Sequence, residues 1–205
     1  MKTLTKEIQK QITPKEAFSI LENGNKRFVE NLKAQRNLKE QVLETSKGQY
    51  PFAVIHSCID SRVPVELVFD QGIGDIFSSR VAGNIINEDV LGSMEYACKV
   101  AGSKIIVVLG HTKCGAVTSA CQHIEMGNIT TLLHKISPAV TTIASQTEKL
   151  EDEQIEQVAV QNVKNSIQQI RQKSPILAKM EDNNEIEIVG GIYDVATGIV
   201  SFCEQ

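Results

Sequence analysis

Apolar positions along this chain switch repeatedly between two rhythms. Short continuous β-branched runs alternate with stretches in which apolar residues recur every three or four positions. Phe52-Ala53-Val54-Ile55-His56, after Pro51, is the first such run and leads directly to Cys58. Asp75-Ile76-Phe77-Ser78-Ser79-Arg80-Val81, after the Gly72/Gly74 turn, is a second candidate strand. Lys104-Ile105-Ile106-Val107-Val108-Leu109 is apolar throughout, the mark of a strand buried on both faces, and stops at Gly110 just before His111. Helical spacing fills the gaps. Leu91, Met94, Ala97 and Val100 predict a helix over 90–100, and a further helix starts near Gly115 or Ala116 and runs through Val117, Ala120 and Cys121. Two more helices are predicted at about 131–145 and 151–173, the second acidic at its start and basic at its end, as the helix dipole favours. Glu185–Val189 and Ile199–Cys203 read as strands joined by a turn at Thr197-Gly198.

Before this alternation, Thr13-Pro14-Lys15-Glu16 carries the signature of a helix start. Ala17, Phe18, Ile20, Leu21 and Phe28 follow at helical spacing, with Gly24-Asn25 expected to interrupt them. The expected fold class is therefore α/β. A mostly parallel central sheet is flanked by helices, with an N-terminal helical arm (1–40) and a C-terminal edge strand or hairpin, as one domain whose α/β part spans 41–205. The arm has a narrow apolar face, which either packs on its own domain or meets another subunit.

Composition narrows the function. With 41% hydrophobic and 22% charged residues the chain can bury a sizeable core. A net charge of −4 gives no reason to expect nucleic acid or an anionic membrane as partner, and the absence of Trp removes the best base-stacking side chain. The first residues, MKTLTKEIQKQI, are polar and charged rather than signal-like, and no run approaches the roughly 18–20 apolar residues that span a bilayer. A cytoplasmic protein is expected. Five cysteines, an odd number without a dense framework, then point to metal binding or burial rather than disulfides. Cys98, Cys121 and Cys203 read as small core residues.

The remaining two cysteines lie in motifs, Cys58-Ile59-Asp60-Ser61-Arg62 and His111-Thr112-Lys113-Cys114-Gly115, each at the carboxyl end of a candidate strand. That edge is where open α/β sheets bind ligands, so the two motifs are expected to converge. Two thiolates and an imidazole suit zinc, and three protein ligands leave a fourth position open, as catalytic sites do. Asp60 is the candidate fourth ligand in a closed state. Arg62, two residues on, can instead grip that carboxylate bidentately, leaving the position to water. His123 and His134 fall on helix surfaces, and His56 packs beneath the site.

These motifs resemble those of the β-class carbonic anhydrases. The likeness is dense from about 45 to 118 and includes Gln49-Tyr50-Pro51-Phe52, Arg80-Val81-Ala82-Gly83-Asn84, Gly92-Ser93-Met94-Glu95-Tyr96 and Val108–Gly115. The resemblance implies zinc on Cys58, His111 and Cys114, with Asp60 and Arg62 as the catalytic dyad. It also implies reversible hydration of CO₂ to bicarbonate and a proton, by zinc-activated hydroxide that the dyad orients. Gln49, Phe77 and Tyr96 would line a substrate pocket formed between two subunits, in a homodimer or homotetramer. Ile59 stands where the family often has Ser and should point away from the metal. A Trp three residues before the first metal Cys belongs to the family's bicarbonate-regulated members; Ile55 stands there, so an open, unregulated site is expected. A carbon disulfide or carbonyl sulfide hydrolase on the same fold is the nearest alternative. A non-catalytic zinc module is another, and it leaves Arg62 without a task. A thiolate phosphatase fails because Cys58 and Arg62 are too close.

Overall fold

The structure, a computed structural model, describes residues 3–144 and 150–203. Helices α1 (Lys6–Gln11), α2 (Pro14–Val29) and α3 (Leu38–Thr45) precede strand β1 (Ala53–Ser57). Then come α4 (Val65–Val68), β2 (Ile76–Arg80), α5 (Glu88–Glu95), β3 (Ile105–His111), α6 (Gly115–Cys121), α7 (Gly127–His134) and α8 (Ser137–Ile143). Helices α9 (Asp152–Lys173) and α10 (Pro175–Asp182) lead to β4 (Glu187–Tyr193) and β5 (Val200–Phe202). The sheet order is β2-β1-β3-β4-β5, parallel except for the antiparallel edge strand β5. The mostly parallel sheet with a terminal hairpin matches the expectation from the sequence.

Alternate residues of the central strands enter opposite layers. Val54, Ile106 and Val108 join the cluster under α5, α9 and α10, whereas Ala53, Ile55, Ile105, Val107 and Leu109 join the one under α2 and α4. Burial on both faces is why these strands read as unbroken apolar runs. Helix α2 lies on its own domain, with Ala17 and Leu21 fully buried in the second layer. The segment after α2 is tied down at Asp70, whose carboxylate accepts from Arg27 Nε (2.6 Å), the Ala34 amide (3.1 Å) and Arg36 Nη1.

Several boundaries differ from the expectation, each for a physical reason. Gly24-Asn25 does not interrupt α2: a Cβ at Gly24 would sit 1.9 Å from the Phe69 carbonyl oxygen, so glycine permits a close helix crossing. Asn25 donates to the carbonyls of Val68 and Gly198 and accepts from the Val200 amide. Strand β3 continues through Gly110 to His111, because glycine there makes room for Val163 of α9 rather than ending the strand. The helix expected at 131–145 is two helices, α7 and α8, with Pro138 opening the second; residue 145 itself lies outside the described residues. Helix α5 starts two residues early, at Glu88, and passes into a π-helical turn at Tyr96–Val100. Strand β4 runs on to Tyr193. Helix α10 has no counterpart in the reading of the sequence, although Ser174, which caps it through the Leu177 amide, and Pro175 mark its start.

Candidate metal centre

The chain runs from β1 outward to β2, then returns to place β3 on the other side of β1. The strand order thus reverses between β1 and β3, and a crevice opens at their carboxyl ends. Ser57 pairs with Leu109. By extension of that register Cys58 faces Gly110, beside His111. Cys114 occupies the cap position of α6 after a tight turn in which Lys113 adopts φ 54°. One ligand atom each from Cys58, His111 and Cys114 lies within 4.8 Å of the others, and all three residues are buried.

Their surroundings suit a cation. His111 Nδ1 sits 2.9 Å from the Thr112 carbonyl, which requires the proton on Nδ1 and leaves the Nε2 lone pair for a ligand. Nε2 itself is buried and makes no hydrogen bond. A buried, unpaired ring nitrogen beside two sulfurs is costly unless something positive stands between them. The hydrogen bond between the two sulfurs pulls the Cys58 thiol well below the ordinary thiol range and pushes Cys114 up. The amide of Gly83 also donates to Cys58 Sγ (3.3 Å). A borderline-soft dication accommodates both thiolates, so the donor set fits zinc.

Asp60 stands beside the ligands without being one of the cluster, its Oδ2 3.9 Å from His111 Nε2. Arg62 holds it three times: the backbone amide and Nε donate to Oδ1 (both 2.9 Å) and Nη2 to Oδ2 (2.8 Å). These hydrogen bonds hold the Asp60 carboxyl well below the usual carboxylate range. Arg62 Nη2 also donates to the Lys113 carbonyl (3.2 Å), joining the two motif loops.

Three groups outside the expected set shape the site. Arg80, at the end of β2, donates to the Cys58 carbonyl (3.0 Å) and to the Asp60 carbonyl. Gly83 supplies the amide already named. Glu156, on α9, accepts from the Lys113 amide (2.8 Å). Arg80 and Gly83 both lie in the Arg80–Asn84 stretch that carries part of the resemblance, without a role at the site being read from it; Glu156 comes from a distant helix and leaves no local signal.

The other sequence-derived residues sort clearly. Ile59 is 61% exposed and faces away from the ligands. His56 is a buried residue of β1 itself, its ring within hydrogen-bond distance of Ser79 Oγ and the Ile85 carbonyl, and burial lowers its pKa and keeps it neutral. Burial pushes the Cys98 thiol up to about 12, so it is inert. Cys121 and Cys203 are half-buried, and His123 and His134 are exposed. Phe77 and Tyr96 pair edge to face, centroids 6.2 Å apart, in a groove of about 680 Å³ that none of the three ligands lines. Gln49 is exposed near the Gly74 turn. No helix among the described residues is long and apolar enough to cross a membrane.

Comparison with known proteins agrees with this geometry. The family model described as carbonic anhydrase matches residues 53–200. The chain is 35% identical over 190 residues to a carbonic anhydrase of Mycolicibacterium smegmatis, covering 91% of this chain and 92% of the relative. It is 32% identical over 191 residues to carbonic anhydrase 2 of Mycobacterium tuberculosis, covering 90% of each. Among solved structures, the β-carbonic anhydrase CafA of Aspergillus fumigatus superposes with a TM-score of 0.72 at 27% identity, over 91% of this chain and 90% of that one. With the Cys-His-Cys cluster at the switch point of the sheet, these matches show that the chain belongs to the carbonic anhydrase family, in its β class.

Proposed function

We propose that this enzyme catalyses the reversible hydration of CO₂ to bicarbonate and a proton, with zinc held by Cys58, His111 and Cys114 and with Asp60 and Arg62 as the catalytic dyad. The observation that carries this reading is the buried Cys-His-Cys cluster beside a carboxylate drawn off it by a guanidinium. A zinc ion bound there would lower the pKa of water and supply a hydroxide nucleophile near neutral pH. The protein's own share is positional. Nδ1 bonded to Thr112 O fixes the His111 ring, and Arg80 fixes the Cys58–Asp60 carbonyls. Arg62 keeps Asp60 ionised, so Asp60 accepts a hydrogen bond from the attacking oxygen and sets its approach; a carboxylate held so low stores no proton at neutral pH. CO₂ carries no charge, and a small apolar niche is enough to receive it.

Gln49, Phe77 and Tyr96 complete the pocket of a second copy rather than their own. The groove that Phe77 and Tyr96 line, which Cys58, His111 and Cys114 do not, supports this, as does an exposed apolar face including Tyr96 (54% exposed) and Val100 (70%). The functional unit is then a homodimer or a multiple of it. Ile55, buried in the core, supports the absence of a Trp-based bicarbonate pocket, and Asp60 off the cluster favours an open site.

Stopped-flow hydration assays with parallel arms for carbonyl sulfide and carbon disulfide test the assignment. Rapid CO₂ hydration with little turnover of the sulfur substrates is expected. Preferential hydrolysis of either sulfur compound, or zinc-loaded protein inert toward all three, overturns it.

A further inference from the structure

Glu156 lies on α9, outside both motifs, yet touches the centre of one. Its Oε1 accepts the Lys113 amide at 2.8 Å. Lys113 is the residue between His111 and Cys114 that bends the loop, and it does so at φ 54°, a left-handed conformation that costs a non-glycine residue energy. The Lys113 carbonyl in turn accepts from Arg62. Glu156 is itself held firmly, because Val158 and Ala159 on the next turn, and Ile155 beside it, pack in the same apolar cluster as Cys58 and Cys114. A continuous path therefore runs from α9 through one peptide unit to the spacing of two ligands and the orientation of the dyad.

The geometry points to Glu156 as a positioning residue that holds Lys113 in its left-handed turn, and thereby sets the separation of His111 and Cys114 for the metal. It rests on the zinc reading above but goes beyond it, since the acceptor comes from a helix far from both motifs in sequence. The contact is to the backbone of Lys113, so the lysine side chain is not needed for it. Glycine at 113 would favour the same turn without help. The role of Glu156 should therefore shrink when residue 113 is glycine.

Zinc affinity, measured by chelator competition on Glu156→Ala, Glu156→Gln, Lys113→Gly and the Glu156→Ala/Lys113→Gly pair, tests this. Glu156→Ala should weaken zinc binding about 10-fold, within the range for outer-shell partners. Glu156→Gln, whose amide oxygen still accepts, should stay within about 3-fold of the parent. In the Lys113→Gly background the Glu156→Ala step should cost less than about 3-fold, a non-additivity that a general folding role does not produce. Wild-type affinity in Glu156→Ala, or the same loss in both backgrounds, overturns the inference. The readout needs no turnover: a protein that binds zinc but fails to hydrate CO₂ would sink the proposed activity and still decide the role of Glu156.

Discussion

Cys58, His111 and Cys114 each carry a different obligation, and substitutions should separate them from Asp60. Cys58→Ser or His111→Ala removes or weakens one of three buried donors while Arg62 holds the neighbouring Asp60 carboxylate, so zinc and activity are expected to fall together. Asp60→Ala leaves the donors in place and is expected to keep one zinc per chain while losing about 10²-fold or more in kcat, as removal of an orienting group does. Metal analysis and stopped flow on the same preparations check both. The pH behaviour of Asp60 follows from its partner. Its folded pKa lies below the ordinary 3.8, so the Asp60–Arg62 contribution is complete above that value and is lost as pH falls through the depressed one. A carboxyl NMR titration of Asp60 should be flat from pH 8 to about 4; a midpoint inside that window contradicts the pairing.

Strand and helix order were legible because each central strand is buried on both faces and therefore reads as an unbroken apolar run. Both motifs were legible for the same reason: they begin where those runs meet the sheet edge. What misled was glycine. Gly24 and Gly110 read as interruptions, yet both mark places where one element presses on another, a tertiary cause invisible to local pattern. Gly24→Ala should therefore destabilise the domain by about 3 kcal/mol, as overpacking against a backbone carbonyl does, measured by urea unfolding. A loss within about 0.5 kcal/mol, the range of an ordinary surface substitution, would mean that α2 is free to move off Phe69. Glu156 was out of reach of the sequence because it acts on a motif from a helix that only the fold brings near it, and the Gly83 amide, though inside a quoted stretch, shows its role only once the fold sets it against Cys58.

The single chain brings Cys58, His111 and Cys114 together, whereas two of the residues proposed to receive substrate line a groove that none of those three lines. Phe77 and Tyr96 line that open groove, with Tyr96 and Val100 exposed beside it. If a second copy covers that face, Tyr96→Arg should shift sedimentation toward monomer and reduce hydration while leaving zinc content unchanged. An unchanged oligomer would place the interface elsewhere. The claim on which the rest depends is nevertheless local: two sulfurs and one imidazole nitrogen around a zinc ion, with the last position free for solvent. Zinc-edge absorption spectroscopy at pH 7.5, comparing the parent with Asp60→Asn, tests it directly. The expected result is two sulfur and two lighter neighbours in both spectra, with no difference between them. A spectrum that changes when Asp60 is replaced, or a shell of sulfurs different from the pair Cys58 and Cys114, would contradict it.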